Sequence, residues 1–193
     1  MTTTRVRKRA DAERNIAAII DAAHGLFMRG AAPSMSEIAI AAGVGRVTLY
    51  AHFPSRERVL EAVIDRALED TTATLDALNL GSEPADVELE KAVRTSWKAL
   101  DRHRRLREVA LAELGPQQVD ERHLSAAGWL EELIARGRRD NLFRTDLPQS
   151  WLVAMFFNTL HTGADEVNAG RLAAAEAPDV LGATVLSVLR RSS

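Results

Sequence analysis

Between positions 46 and 56 the chain reads RVTLYAHFPSR, and several of these side chains are suited to the chemistry of a base-pair edge. Arg46 can donate two hydrogen bonds to guanine, while Val47 and the methyl of Thr48 suit contact with a thymine methyl. The Thr48 hydroxyl serves a base or a phosphate. Tyr50 and His52 carry hydroxyl and imidazole groups with the reach for backbone oxygens. Arg56 opens a helix, where its charge and the positive end of the helix dipole together attract a phosphate.

Such groups act only if short, rigid elements hold them. In "PSMSEIAIAAG", Ser34 precedes Glu37 by three residues, just ahead of Ile38. This is a capping box: the Ser34 hydroxyl accepts from the Glu37 N–H and the Glu37 carboxylate reaches back to the Ser34 N–H. The helix it starts runs from Met35 to Gly43, which can take positive φ. A second short helix, from about Arg46 to His52, follows at once and is led by Gly45 without steric bulk. Ala39 and Ala42 permit close approach, Val44 and Leu49 pin the pair, and Leu49 and Phe53, four apart, share a buried face. Two short helices and a tight turn spanning about 34–53 make a helix-turn-helix. The candidate DNA-contacting set is Ser34, Gly45, Arg46, Val47, Thr48, Tyr50, His52 and Arg56. The competing interpretation is a structural turn inside a helical bundle.

The rest of the chain is also read as helical, since alternating strand-like runs are essentially missing. The expected fold is all-α with about nine helices. The first runs from about Ala12 to Arg29, with Ile16, Ile19, Ile20, Ala23, Leu26 and Phe27 on one face and Gly30 at its C-terminal end. Ser55 is the N-cap of a fourth helix ending near Leu78. Later helices span Pro84 to about Arg102, Leu106–Leu114, Gln117–Arg138, Pro148 to about Asn168, and Pro178 to about Arg190. The Ala-rich "NAGRLAAAEAP" is either a loop or a helix extension. The expected domains are 1–55, for DNA, and 56–193, helical.

Charge separates along the 193 residues in the same sense. Residues 1–60 hold nine Arg or Lys and five acids, a net +4, and the remainder holds 16 basic and 22 acidic, a net −6. A total of −2 therefore conceals one end suited to a polyanion. There is no cysteine, which removes disulfides, thiolate zinc sites and cysteine nucleophiles and fits a cytoplasmic location. The polar, basic start is not a secretory signal, and no apolar run reaches the roughly 18 residues of a membrane span. Arg5, Arg7, Lys8 and Arg9 either follow a DNA backbone or groove or form a solvated end.

The stretch "AERNIAAIIDAAHGLFMRGAAPSMSEIAIAAGVGRVTLYAHFPSRERVLEAVI", residues 12–64, resembles the N-terminal domain of the TetR family of bacterial transcription regulators. The likeness lies in a first helix ending in Phe and Gly, a capped helix with Ile-Ala, then Ala-Gly-Val, Leu-Tyr, Phe and a charged start to the fourth helix. Arg56 stands where Lys is usual, and it keeps the capacity to donate to phosphate. The resemblance implies a homodimer joined through its last two long helices, with a small-molecule effector held in the second domain. It further implies a repressor in which the effector shifts the fourth helix, changes the spacing of the two reading heads and releases a double-stranded operator. A coupling of roughly 1–3 kcal/mol would lower operator affinity 5- to 150-fold.

For the second domain, Trp97, Trp129, Trp151, Met155, Phe156 and Phe157 are candidate apolar pocket walls, and His103, His123, Asn158 and His161 candidate polar contacts. The core or a dimer interface competes for each of them. Trp151–Phe157 is apolar nearly all round and, with Val180, Leu181, Val185, Leu186 and Leu189, suits a four-helix interface and hence a palindromic operator. His161 and Asp165 make only two metal ligands, so no metal and no cofactor is expected. The run Arg102, His103, Arg104, Arg105 and Arg107 reads as a solvated face, with an acidic effector as the rival. An effector-independent DNA-binding or architectural protein is the alternative function. An enzyme finds no support, since nucleophile elbow, phosphate loop and zinc triad are all missing.

Overall fold

The computed structural model describes residues 2–29 and 32–191, without the side chains of 2–8, 124 and 125. Its ten helices among the described residues are α1 (Thr2–Met28), α2 (Met35–Ala42), α3 (Arg46–His52), α4 (Arg56–Asp76), α5 (Ala85–Arg102), α6 (Arg104–Leu114), α7 (Pro116–Ser125), α8 (Gly128–Arg139), α9 (Gln149–Asn168) and α10 (Ala177–Leu189). The one strand-like feature described is an isolated bridge between Phe143 and Arg190. No helix among the described residues is long and apolar enough to cross a membrane.

Two compact units result, one of residues up to 67 together with 105–119, the other of 68–104 together with 120 onward. The packing units thus differ from the division placed after residue 55. In the first unit α1, α2 and α3 pack on one another. Their interior is Ile19, Ala23, Phe27, Ile38, Ala39, Leu49 and Phe53, and α4 adds Val59, Leu60 and Val63. On α1 and α4 these positions recur three or four apart, the spacing that gives a helix one apolar face, and the short α2 contributes the adjacent Ile38 and Ala39. The first helix begins earlier than expected, at Thr2. The C-terminal role read for Gly30 and the side chains of Arg5, Arg7 and Lys8 lie outside the described residues.

In the second unit α5, α8, α9 and α10 enclose a core that includes Leu89, Val93, Trp97, Leu130, Ile134, Phe143, Leu152 and Phe156, closed by Leu181, Val185 and Leu186 from α10. The helix expected over Gln117–Arg138 is two helices: Ala127, buried, caps α8 with φ −84° and ψ 0°, and Gly128, a poor helix former, opens it. The stretch 169–176 is turn rather than helix, with Gly170 at φ +71°. After α8 the chain turns back so tightly that Phe143 lies against Gly137, where an added Cβ would sit 2.1 Å from the ring. Arg138 secures that loop by donating to the Arg144 and Leu147 carbonyls at 3.0 and 2.7 Å.

A buried carboxylate fixes the α4–α5 turn. Glu88 is 2 % exposed and accepts from the N–H groups of Gly81 and Glu83 at 2.7 and 2.9 Å, and from the Arg136 guanidinium. Burial alone would push its carboxyl up, but the Arg136 bond and the two N–H groups outweigh it and hold the group below the usual range.

Candidate nucleic-acid interface

The capping box forms as the sequence requires. The Ser34 N–H donates to Glu37 Oε2 at 2.8 Å, the Ser34 hydroxyl donates to the same oxygen at 2.7 Å, and the Glu37 N–H donates to Ser34 Oγ at 3.3 Å. The Ser34 backbone bond first, and its hydroxyl second, hold the Glu37 carboxyl below the ordinary value. Because the Ser34 hydroxyl already donates to Glu37, a phosphate can take that hydrogen only from Glu37.

At the other end of α2, Gly43 adopts φ +65° and ψ 28°, and its N–H closes the helix on Ala39 and Ile40. That left-handed residue is what lets α3 start a few residues later. Gly45 leads α3 with an extended backbone and no side-chain cap. Leu49 within α3 is fully buried and Phe53, just beyond its end, nearly so, whereas Val47 is 86 % and Tyr50 52 % exposed. Arg46 is exposed, and Thr48 and His52 are half-buried. The helix is therefore anchored by one face and presents Arg46, Val47 and Tyr50 on the other. Such a face has the donors for a guanine edge and an apolar group for a thymine methyl.

Arg56 is placed differently from its neighbours. Ser55 caps α4, accepting from the Arg58 N–H at 3.3 Å, so Arg56 is the first helical residue. Its Nη2 lies 3.0 Å from Glu113 Oε2 on α6, within the same unit. The charge offered to a phosphate is thus already partnered.

Two surface features of this unit were absent from the candidate set. Ile40 on α2 is 80 % exposed. A signal for it existed: Ile38 and Ile40 are two apart on a helix, so only one can face the core. Glu113 gave no such signal, because it is far from Arg56 along the chain.

In the second unit the candidate pocket residues disperse. Trp97, Phe156 and His161 are buried, Met155 and His103 half-buried, and Trp151 is 54 % exposed on α9. Aromatic contacts run from Trp129 to Phe156 at 5.5 Å between ring centroids, on to Phe157 at 5.3 Å, then to His123 at 5.7 Å and from it to His161 at 4.7 Å. A groove of about 360 Å³ is lined by Asp76, Asn79, Leu80, Gly81, Trp129, Glu132, Leu133 and Arg136. Of the candidate pocket residues only Trp129 borders it. No group of three or more possible metal ligands occurs among the described residues.

Residues 19–63 match the model of bacterial regulatory proteins of the tetR family. The HTH-type transcriptional repressor LfrR of Mycolicibacterium smegmatis is 31 % identical over 83 residues, 43 % of this chain and 44 % of LfrR. The HTH-type transcriptional regulator EthR of Mycobacterium tuberculosis is 37 % identical over 62 residues, 32 % of this chain and 28 % of EthR. The alignments therefore span less than half the length of either relative. In fold the likeness runs further. The structure of LfrR in complex with proflavine superposes with a TM-score of 0.64 at 20 % identity, covering 93 % of this chain and 98 % of LfrR. The fatty acid degradation regulator FadR of Bacillus halodurans gives 0.74 at 22 % identity, covering 90 % and 99 %. The capped α2 and the left-handed Gly43 lie within residues 19–63, the segment that is similar to the tetR family of bacterial regulatory proteins.

Proposed function

We propose that the protein is a homodimeric, sequence-specific DNA-binding transcription regulator, a repressor released from a palindromic operator by a small-molecule effector. The observation that carries this reading is the two-faced α3: Leu49 sealed inside, Arg46, Val47 and Tyr50 outside. A seven-residue helix with an exposed valine and arginine on an anchored scaffold has the shape and chemistry of a major-groove reader. In this reading Ser34, Thr48, His52 and Arg56 contact sugar or phosphate, Gly45 allows close approach, and the partner is double-stranded DNA.

Self-association is supported by α9 and α10, which leave Trp151 54 % and Val180 47 % exposed. Two copies joined there would present two reading helices, which is why the operator should be palindromic. An effector is supported by the groove beside Trp129 and by the structure of LfrR, solved in complex with proflavine.

A second reading, effector-independent DNA binding, draws support from the burial of Trp97 and Phe156 within the core cluster. One experiment separates the two. Duplexes selected by the protein from a random pool should share an inverted repeat, and a panel of small molecules should then release that duplex. An inverted repeat with no releasing compound favours the second reading. No enrichment above the random pool overturns both.

A further inference from the structure

We infer that Glu113 is an internal competitor for Arg56, an anionic group that occupies in the unbound protein the guanidinium a DNA phosphate takes in the complex. The inference rests on the DNA-binding reading above, since it concerns the same phosphate contact.

Three observations carry it. First, Arg56 Nη2 and Glu113 Oε2 are 3.0 Å apart, with the two side chains 33 % and 16 % exposed. Solvent screens such a pair less than a fully exposed one, so the carboxylate offsets much of the arginine's field. Second, the pair is poorly seated. Glu113 Oε2 is buried and receives no hydrogen bond of acceptable angle, so the contact is an ion contact through one nitrogen. Arg144 and Asp146 show the contrast: Nε and Nη2 donate to the two carboxylate oxygens at 2.8 and 2.7 Å. Arg171 and Glu166 pair in the same forked way at 2.6 Å for both bonds. A forked pair holds a guanidinium in place, whereas a single off-axis contact leaves most of its five donors for another anion. Third, a cation in the first turn of a helix is disfavoured by the helix dipole, so Arg56 does not serve the stability of α4 by itself. Its position makes sense as a contact for an external anion that Glu113 holds in reserve.

Glu113 also has a plain structural alternative, that it merely relieves the clash between Arg56 and the α4 dipole. The two are separated by a double-mutant cycle on the full chain, using a random-sequence duplex as probe and fluorescence anisotropy at fixed salt. The variants are Glu113→Gln, Arg56→Ala and the two together, each confirmed as helical by circular dichroism. Competition requires Glu113→Gln to tighten duplex binding about 3- to 10-fold, the size expected for freeing one partly buried charge. It also requires that gain to vanish, to within about twofold, in the Arg56→Ala background. An equal gain in both backgrounds marks a general charge effect and overturns the inference, as does an unchanged or weakened affinity in Glu113→Gln. If neither the wild type nor any variant binds duplex at low salt, the DNA reading itself fails and the competitor falls with it. Wild-type binding without the gain removes the competitor alone.

Discussion

Val47 and Phe156 are both apolar, both helical, and used in opposite ways. Val47 stands 86 % exposed two residues before the fully buried Leu49, so α3 spends its inner face on anchorage and leaves its outer face open. Phe156 on α9 is fully buried, edge-on to Trp129 at 5.5 Å and to Phe157 at 5.3 Å, and its partners are all internal. A single exposed apolar residue is ordinary in itself and becomes informative beside the exposed Arg46 and Tyr50 of the same anchored helix, while a buried aromatic chain is first of all a core. The difference fits the recognition role proposed for the first unit and a packing role for the aromatic layer of the second. The groove bordered by Trp129 is one opening that this core leaves, and the proposed effector would be tested there first.

The largest test of that contrast is Phe156→Ala. If the aromatic layer is core, the substitution should destabilise the second unit by about 3–5 kcal/mol. All three tryptophans of the chain, Trp97, Trp129 and Trp151, lie in that unit, so their fluorescence during urea unfolding reports on it directly. A cost below about 1 kcal/mol would mean that Phe156 lines open space rather than packed interior, and would return it to the effector pocket.

On the recognition side, Arg46→Ala should leave unfolding unchanged and cost about 1–3 kcal/mol on the selected duplex, relaxing preference at one base pair. Equal losses on random and selected DNA would turn Arg46 from a base reader into a phosphate contact, and would shift the specificity to Val47, Thr48 and Tyr50.

How much of this was legible beforehand follows from distance along the chain. The capping box needs only Ser34 and Glu37, three apart, and the turn needs only Gly43, so the helix-turn-helix could be placed to within a residue. The groove draws on residues 76–81 and 129–136, and no local pattern joins segments so far apart. The Arg56 and Glu113 pair is hidden for the same reason. The split between α7 and α8 is intermediate. Gly128 signalled a weak point, but Ala126 and Ala127 are good helix formers, and only tertiary packing, with Ala127 buried, decides that the helix breaks there.

A smaller effect probes the scaffold of the reading face. Ser34→Ala should cost the first unit about 1 kcal/mol, since it removes the acceptor for the Glu37 N–H. It should also change the response to acid. The Glu37 carboxyl is held low in the folded protein, so its contribution is complete above the ordinary carboxylate value and lost as pH falls through the lowered one. Without the Ser34 hydroxyl, the second of the bonds holding it low, that loss should be smaller and complete at a higher pH. Thermal unfolding followed by circular dichroism from strongly acid to mildly acid buffer checks both points; identical acid profiles for the two proteins would show that the backbone bond alone holds Glu37.

The smallest effect is the most specific to the comparison. Val47→Ala should leave stability within about 0.5 kcal/mol, because the side chain is already in water. Its loss on DNA should be at most about 1 kcal/mol, the worth of one or two methyl groups removed from a contact. A loss that small proves little by itself, so the thymine methyl must be removed as well, by placing uracil at each thymine of the selected duplex in turn. If Val47 touches one of them, uracil there should weaken the wild type but not the Val47→Ala protein, and the two losses should fail to add. Strict additivity at every thymine would leave the exposed valine without a partner on the base edges, and the distinction drawn between α3 and α9 would rest on Arg46 and Tyr50 alone.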